Sequence, residues 1–483
     1  MNNKMIKYVL GVILKLEAGF MVVPLILSFI YKEETIFKIS YFSTIGILLF
    51  LGFLLSRKVP DNMKFFAKEG LVTTSLSWIA LSIFGALPFV ITGQIPSFID
   101  AFFEVVSGFT TTGASILTNV EALNKSLLYW RSFTHLVGGM GVLVLALAIL
   151  PQNNNQSLHI MKAEVPGPTV GKLVAKMSYN SRILYMIYLC ITAIIVIFLL
   201  LGGMPLFDAV IHAFGTVGTG GFGIKNNSVA YYNSPYIEYV LGFGMLFCGM
   251  NFNLFYALIL KNFKQIYKNE ELRFYLGAVT LAIISICINI APMYDSISHL
   301  FRDVFFTVSS VVTTTGFSTA DFDTWPVFSK TILLVLMFMG GCAGSTAGGF
   351  KVSRVVVLLK SAINEFRKTG TPNRIFSIKM DGKIISKELF GSISTYLILY
   401  ISVFFLLILC IAPESPDFVS AFSAVTATFN NIGPGLGVVG PTSNYSHFSD
   451  INKIVLSFSM LLGRLEIFPI LILFSPNLYK KYK

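Results

Sequence analysis

The stretch Asp100-Ala-Phe-Phe-Glu-Val-Val-Ser-Gly-Phe-Thr-Thr-Thr-Gly113 decides the fold, because three later stretches repeat its pattern. The copies are Asp208-Ala-Val-Ile-His-Ala-Phe-Gly-Thr-Val-Gly-Thr-Gly-Gly221, Asp303-Val-Phe-Phe-Thr-Val-Ser-Ser-Val-Val-Thr-Thr-Thr-Gly316 and Ser420-Ala-Phe-Ser-Ala-Val-Thr-Ala-Thr-Phe-Asn-Asn-Ile-Gly433. Aligned on their last glycine, all four carry Asp or Ser thirteen residues earlier, followed by Ala or Val and then by Phe or Val. A register kept over four copies indicates an internal structural repeat.

Each copy begins with about ten residues of helix-compatible sequence, too few to cross a hydrocarbon core of about 30 Å. The Asp or Ser at its start suits a helix N-terminus. A segment that cannot span must enter the membrane and return. Irregular backbone at that depth is tolerated only inside protein or along a watery cavity. Four such returns predict a pore, with the negative helix ends directed at a cation.

The predicted cation filter takes four residues from each copy. Glycine accepts a positive φ without a Cβ penalty, so the preceding carbonyl groups can face an ion. No Asp or Glu stands among these residues to form a ring for divalent cations. A single copy would also fit a polar loop at the membrane surface, and only the repetition argues against that alternative. The filter prediction comprises Thr110, Thr111, Thr112, Gly113, Gly218, Thr219, Gly220, Gly221, Thr313, Thr314, Thr315, Gly316, Asn430, Asn431, Ile432 and Gly433.

Composition places the chain in lipid, since its 483 residues are 54% hydrophobic and only 12% charged, against about 25% charged in soluble domains. Most Lys and Arg fall on the side of the termini, which the positive-inside rule makes cytoplasmic. The net charge of +12 then reflects topology and anionic lipid, and nucleic-acid binding is not predicted. Ten membrane-spanning helices are expected at 7–31, 36–57, 70–93, 127–150, 182–203, 236–260, 272–291, 330–360, 388–411 and 453–475.

Three classes of function compete: a pore or transporter for monovalent cations, a membrane-bound cofactor enzyme, and a permease for organic solutes. The five cysteines are scattered without zinc-ligand spacing, and no hydrolase motif is present. The stretch 218–223 has the G-x-G-x-x-G spacing but not the strand and helix that a dinucleotide site requires. The stretch 344–349 has Walker spacing, but Phe350 replaces the required lysine. The sequence therefore predicts that this protein is not an enzyme.

Further motifs carry a family resemblance across essentially the whole chain. The chain resembles the Trk/Ktr/HKT superfamily of potassium uptake proteins, and its Trk branch in particular. The motifs are F-T-T-T-G-A at 109–114, G-G-F at 220–222, T-T-T-G-F at 313–317, N-N-I-G-P-G at 430–435, G-G-C-A-G-S-T-A-G-G-x-K at 340–351 and G-R-L-E-I-F-P at 463–469.

The resemblance implies an all-α integral membrane protein with two N-terminal transmembrane helices and four helix–pore loop–helix repeats around one central pore. It also implies potassium as the permeating ion without an organic cofactor, a homodimer, and residence in the bacterial cytoplasmic membrane. Regulation would come from a cytosolic ring of TrkA-type subunits that bind NAD or ATP. Relative to the potassium-channel filter T-V-G-Y-G, only the glycine is shared by all four loops. The implied division is 1–66 for the helix pair and 67–150, 151–265, 266–370 and 371–483 for the repeats.

The 31 residues from Lys330 to Lys360 would reach about 46 Å as one helix, which exceeds a hydrocarbon core of about 30 Å. We therefore expect the helix to break, and we expect the break to form a gate below the filter. Five glycines in 340–349 predict a break there. The alternative is a glycine-rich face for helix packing. By resemblance, Arg464 projects into the pore and donates hydrogen bonds to this loop. The gate prediction comprises Gly340, Gly341, Gly344, Ser345, Thr346, Gly348, Gly349, Lys351 and Arg464.

The connection 351–387 is strongly basic, which fits two interpretations equally. It can dock an acidic face of the regulatory partner, or it can reflect the positive-inside rule alone. Its basic residues are Lys351, Arg354, Lys360, Arg367, Lys368, Arg374, Lys379, Lys383 and Lys387.

Overall fold

A computed structural model describes residues 1–60, 67–141, 177–371 and 377–475. Helices dominate this part of the chain. Within it, the strands are limited to β1 (Lys379–Met380) and β2 (Lys383–Ile384), which pair antiparallel as a short hairpin. The predicted all-α class is confirmed.

The helices fall into long apolar segments, short segments that precede the repeated glycines, and fragments of interrupted segments. In chain order they are α1 (Asn3–Phe20), α2 (Val22–Ile30), α3 (Thr35–Ser56), α4 (Ala67–Ile91), α5 (Phe98–Phe109), α6 (Lys125–Gly139), α7 (Met177–Leu201), α8 (Leu206–Val217), α9 (Pro235–Cys248), α10 (Phe252–Ile259), α11 (Phe263–Lys268), α12 (Glu270–Ile290), α13 (Ile297–Val312), α14 (Val327–Met339), α15 (Val352–Gly370), α16 (Lys387–Ile411), α17 (Phe418–Phe429), α18 (Asp450–Arg464) and α19 (Phe468–Leu473).

Six helical stretches in the described ranges are long and apolar enough to cross a membrane, and they match six of the ten predicted spans. Large apolar side chains on them, such as Phe50 and Leu201, are exposed, as contact with lipid requires. The chain is therefore a multi-pass membrane protein. The six stretches are Asn3–Ile30, Thr35–Ser56, Lys68–Ile91, Ser181–Leu201, Glu270–Met293 and Lys387–Glu414.

The other four predicted spans are wrong as continuous helices. In the span expected at 127–150, helix α6 ends at Gly139 and Gly141 has a positive φ, while residues 142–150 lie outside the described residues. The span at 236–260 consists of α9 and α10, which meet at a bend of 96°. The span at 330–360 is split between α14 and α15, and the span at 453–475 between α18 and α19.

Backbone conformation explains why these helices stop. Gly340 has a φ of +67°, which no right-handed helix contains. Glu466 and Ile467 have φ values of +57° and +66° just after α18. Asn251 caps α10 by accepting a hydrogen bond from the Asn253 amide at 2.9 Å. Each interruption frees backbone groups that must find partners elsewhere inside the protein.

The short helices α5, α8, α13 and α17 end directly before the four predicted filter segments. Asp100 lies in the first turn of α5, and Ser97 is the capping residue. In α17 the capping residue is likewise Asp417 and not Ser420. The expected helix start at Asp303 is wrong, because α13 begins six residues earlier, at Ile297.

Candidate functional site

The four segments that follow the short helices have the same backbone shape. We number them loop 1 (110–113), loop 2 (218–221), loop 3 (313–316) and loop 4 (430–433). In each loop the second residue and the final glycine have positive φ. The second-residue values are +53° to +56° for Thr111, Thr219, Thr314 and Asn431, and the glycine values are +74° to +93° for Gly113, Gly221, Gly316 and Gly433.

Matching hydrogen bonds close the end of each short helix. The amide of the third loop residue donates to the carbonyl five residues earlier, at 2.8 to 2.9 Å. This is the pattern of a helix ending on a left-handed residue. A turn of this kind carries the chain sharply away from the helix axis, and the same turn occurs four times. The bonds join Thr112 to Ser107, Gly220 to Gly215, Thr315 to Ser310 and Ile432 to Ala427.

The four loops meet one another in cyclic order. A Cβ added to the glycine of one loop would overlap the carbonyl oxygen of the third residue of the next loop, inside the 3.0 Å that real Cβ atoms do not enter. Within the described residues, none of these four carbonyl oxygens accepts a hydrogen bond. The loops thus form a ring with free carbonyl groups at its contacts. The pairs are Gly113 with Gly220, Gly221 with Thr315, Gly316 with Ile432, and Gly433 with Thr112.

Buried side chains pack behind the ring and fix the loops. In loop 1 the hydroxyls of Thr110 and Thr112 are 2.8 Å apart, as are those of Thr313 and Thr315 in loop 3. Asn431 joins loop 4 to loop 1, since its amide donates to the Thr112 hydroxyl at 2.9 Å. These hydroxyl and amide contacts explain the polar composition of the loops at full burial.

Loop 2 has glycine where loops 1 and 3 have threonine, and His135 on α6 supplies the reason. A Cβ added to Gly220 would lie 2.3 Å from Nδ1 of the His135 ring. A Cβ added to Gly218 would lie 2.4 Å from the His135 carbonyl oxygen. The ring also stacks on Phe222 at a centroid distance of 4.3 Å. His135 therefore fills the space that side chains fill in the other loops.

A cavity of about 100 Å³ opens beside all four loop glycines, with room for about three water molecules. We call it the mouth cavity; its wall also includes Arg131, Lys225 and Tyr445. None of the described Asp or Glu residues lines it. Lys225 donates a hydrogen bond to Glu121 at 3.0 Å, which lowers the pKa of the Glu121 carboxyl.

The interruption between α14 and α15 forms a buried segment, the 340–351 loop. It binds the backbone groups that the bend between α9 and α10 leaves free. The Cys342 amide donates to the Gly249 carbonyl at 2.9 Å, and the Gly344 carbonyl accepts from the Phe252 amide at 3.0 Å. The Thr346 hydroxyl donates to the Cys248 carbonyl at 3.2 Å. The backbone groups freed at the two interruptions thus hydrogen-bond to each other.

The same loop touches the ring of glycine loops from one side. The Gly348 amide donates to the Thr314 hydroxyl at 2.6 Å. A Cβ on Gly348 would overlap the Asn430 carbonyl oxygen. Gly340, Gly344 and Gly349 have positive φ. The loop therefore lies directly against loops 3 and 4, on contacts that require its glycines.

Arg464 connects the 340–351 loop to the end of α6. Its guanidinium donates to the Thr346 carbonyl at 2.7 Å and to the carbonyls of Gly138 and Gly139 at 2.6 and 2.7 Å. The expectation that it lies near the middle of a long helix is wrong, because α18 ends at this residue. Carbonyl groups freed at helix ends are suitable partners for a buried cation.

Buried charged residues also fix the ends of the 340–351 loop. The Glu271 carboxylate accepts from the Ala343 amide at 2.6 Å and from the Ser353 amide at 3.0 Å. Lys351 is buried and donates to the Ala347 carbonyl, and Arg354 is buried beside Glu466. Lys351 and Arg354 therefore do not belong to an exposed docking surface, which corrects that part of the prediction.

Sequence reasoning brought together the loop residues but missed the residues that support them. The Tyr400 hydroxyl, for example, donates to Asn430 Oδ1 in loop 4 at 2.6 Å. The supporting residues lie in segments that the composition marks as membrane helix, and they are His135, Arg131, Glu104, Glu271 and Tyr400. A charged or titratable residue within an apolar helix is a signal of function. Arg131 and Glu104 carried that signal, while the packing of His135 on Gly220 follows only from the tertiary structure.

The fold and the site together define a class: multi-pass membrane proteins of transport, in which short helices and returning loops meet in a ring. Residues 39–481 match the family model described as TrkH, cation transport protein. The chain belongs to this family, and the predicted resemblance is confirmed. It is accordingly a transport protein and not an enzyme.

Similar proteins match over their full length. The chain is 34% identical over 491 residues to the Trk system potassium uptake protein TrkH of Escherichia coli strain K12, with 100% of each chain covered. It is also 34% identical to TrkG of the same strain, with 98% of each chain covered. The crystal structure of the potassium transporter TrkH from Vibrio parahaemolyticus superposes with a TM-score of 0.89 at 32% identity, covering 99% of this chain and 100% of that one.

Proposed function

We propose that this chain mediates potassium uptake through a pore whose selectivity filter is the ring of loops 1 to 4. The single observation that carries the proposal is the cyclic contact of four glycines with four free carbonyl oxygens. Carbonyl oxygens replace the hydration shell of a potassium ion. The printed names of the relatives, Trk system potassium uptake proteins, support the choice of ion.

Purified protein in liposomes tests this function. Potassium and rubidium are expected to enter down their gradients, and sodium more slowly, because the ring offers neutral oxygens and no carboxylates. The measurement is ion flux with and without a pH gradient, against empty liposomes. If the inserted protein takes up none of these monovalent cations, the proposal is wrong.

The four loops support a division of the chain into four repeats that follow a helix pair. The proposed division is 1–66 for an N-terminal helix pair, followed by repeats at 67–150, 151–265, 266–370 and 371–483. Both termini are proposed to be cytoplasmic in a bacterial cytoplasmic membrane, on the distribution of Lys and Arg. The mouth cavity then faces outward, and the 340–351 loop lies on the cytoplasmic side of the filter.

We further propose that the 340–351 loop is a gate. It lies against loops 3 and 4 and carries the contact to Arg464. Its ends are fixed by Glu271, which is a positioning residue in this scheme. The residues assigned to the gate are Gly340, Gly341, Gly344, Ser345, Thr346, Gly348, Gly349, Lys351 and Arg464.

Replacing Glu271 by alanine is expected to raise potassium flux in the absence of any partner by about five-fold. The substitution removes the acceptor of one amide in the loop and of one amide just after it. A loss of about 1 kcal/mol from the closed loop corresponds to that factor. Liposome flux of the purified variant is the measurement. Glu270→Ala is the matched control, because Glu270 precedes it on the same helix and pairs with Lys360 at the surface. Equal flux in the two variants would contradict the positioning role.

The proposed assembly is a homodimer regulated by a cytosolic TrkA-type ring that binds NAD or ATP. The exposed basic residues at the end of α15 and on the β1–β2 hairpin support docking of an acidic partner face. Arg367 and Lys368 lie in the last turn of α15 and are exposed. Lys360 is paired with Glu270 and is less available. Arg374 lies outside the described residues.

Neutralising Arg367 and Lys368 together to glutamine is expected to weaken copurification with the ring about five-fold to thirty-fold. Two exposed charges at an interface contribute about 0.5–1 kcal/mol each. The measurement is the amount of ring retained at low and high salt. A pair of substitutions of equal charge, Lys4→Gln with Lys7→Gln, is the control on α1. Undiminished retention would leave the positive-inside rule as the explanation of this surface.

A further inference from the structure

A buried ion pair joins the outer ends of loops 1 and 2. Glu104 on α5 and Arg131 on α6 are 1% and 3% exposed, and Arg131 Nε lies 2.6 Å from Glu104 Oε1. Arg131 is also part of the wall of the mouth cavity. A buried pair of charges is weak evidence for stability, because its desolvation offsets its attraction. We therefore ask which parts of the backbone the Glu104–Arg131 pair holds in place.

Each partner of the pair binds backbone that follows a filter glycine. The Glu104 carboxylate accepts from the Ile116 amide at 2.9 Å and from the Ser115 hydroxyl at 2.9 Å, just after loop 1. Arg131 donates from Nη1 to the Gly223 carbonyl at 3.0 Å, just after loop 2. The Arg131 guanidinium also lies 3.4 Å from the centroid of the Phe222 ring. One pair of side chains thus contacts two neighbouring loops.

Neutral groups hold loops 3 and 4. The Ser310 hydroxyl donates to the Phe317 carbonyl at 2.6 Å after loop 3. The Tyr445 hydroxyl donates to the Gly433 carbonyl at 2.8 Å in loop 4. The Tyr445 amide also donates to the Ser115 carbonyl at 2.8 Å, so Tyr445 connects loop 4 to the segment after loop 1. The Glu104–Arg131 pair makes the corresponding connection between loops 1 and 2, and it does so with charged groups.

We propose that Glu104 and Arg131 are positioning residues that keep the carbonyl groups of loops 1 and 2 at the spacing that distinguishes potassium from sodium. This inference rests on the proposed filter. A displaced loop 2 would move the Gly220 carbonyl, which contacts Gly113 across the loop boundary. Discrimination between ions that differ only in size depends on such spacing and on the number of carbonyl groups. Glu104 also neutralises the Arg131 charge beside the mouth cavity, which would otherwise oppose cation entry.

The test compares two conservative variants. Arg131→Lys keeps the charge but loses the planar fork that reaches Glu104 and Gly223 together. Glu104→Gln keeps an oxygen for the Ile116 amide but loses the charge. Both are expected to lower the ratio of potassium to sodium flux at least about three-fold, with potassium flux retained in Arg131→Lys. Arg302→Lys is the matched control, because Arg302 forms an ion pair with Glu238 at 3.0 Å away from the loops.

The outcomes separate this inference from the filter itself. If Gly113→Ser lowers the flux ratio and both variants leave it unchanged, the filter stands and the positioning role is wrong. If Gly113→Ser also leaves the ratio unchanged, the filter proposal fails as well. If both variants fail to insert while Arg302→Lys inserts, the pair serves folding as a whole and the local role is wrong. Phe222→Leu, which removes the ring beneath Arg131, is expected to lower the ratio in the same direction.

Discussion

Replacing Gly113 by serine is expected to lower the ratio of potassium to sodium flux by about ten-fold or more. Gly113 has a φ of +81°, and a Cβ at this position would overlap the Gly220 carbonyl oxygen. A non-glycine residue in such a conformation costs about 1–3 kcal/mol, and about 1.4 kcal/mol corresponds to ten-fold. The overlap cannot be relieved by a flexible side chain, since the neighbour is backbone. The carbonyl that is displaced is one of those proposed to bind the ion.

Gly93 provides the matched control for this experiment. It also has a positive φ, +71°, but no heavy atom lies within 4 Å of its Cβ position. Gly93→Ser therefore carries a similar backbone cost without touching a loop. The measurement is paired potassium and sodium flux in liposomes at equal protein content. An unchanged ratio in Gly113→Ser, or an equal fall in Gly93→Ser, would contradict the filter assignment.

The repeat could be predicted from sequence because it depends on local chemistry. Each copy needs a residue that tolerates a left-handed conformation, a following glycine, and a short apolar helix before them. These requirements leave a fixed spacing in the sequence. The order in which the loops meet could not be predicted, because Gly113 contacts Gly220 and Gly433 contacts Thr112 across more than 100 residues of chain. Only tertiary packing determines those contacts.

The interrupted helices were harder to predict from sequence than the repeat. A run of apolar residues such as 236–260 predicts a continuous span, since backbone groups exposed in lipid are costly. The bend at Gly249 is tolerated because the 340–351 loop supplies partners for the freed groups. The 340–351 interruption could be predicted from the sequence, because five glycines fall within ten residues. The partner interruption carries a single glycine and was not predicted.

Arg464 illustrates how position changes the interpretation of a charge. Within a continuous helix, a buried arginine would need an acidic partner or water. At the end of α18 it instead meets the carbonyls of Gly138, Gly139 and Thr346. In these three contacts the negative ends of carbonyl dipoles face the guanidinium. A guanidinium beneath a proposed cation filter opposes the passage of cations.

Replacing Arg464 by alanine is expected to raise potassium flux in the absence of the partner by about ten-fold. The substitution removes a positive charge that opposes cations beneath the proposed filter, and a barrier lower by about 1.4 kcal/mol corresponds to ten-fold faster flux. The variant also releases Thr346 from α6, which frees the 340–351 loop to move. Deleting residues 344–348 is expected to raise flux in the same direction.

Two further variants determine which effect acts. Arg464→Lys retains the charge but cannot reach three carbonyl groups at once, so higher flux in this variant would assign the barrier to the loop contact and not to the charge. Arg302→Ala removes a half-buried arginine whose ion-pair partner is Glu238, and it is expected to leave flux unchanged. The measurement is rubidium uptake by liposomes with equal amounts of inserted protein. If Arg464→Ala and the 344–348 deletion both insert and yet conduct no faster than the parent chain, the 340–351 loop is a packing element and not a gate.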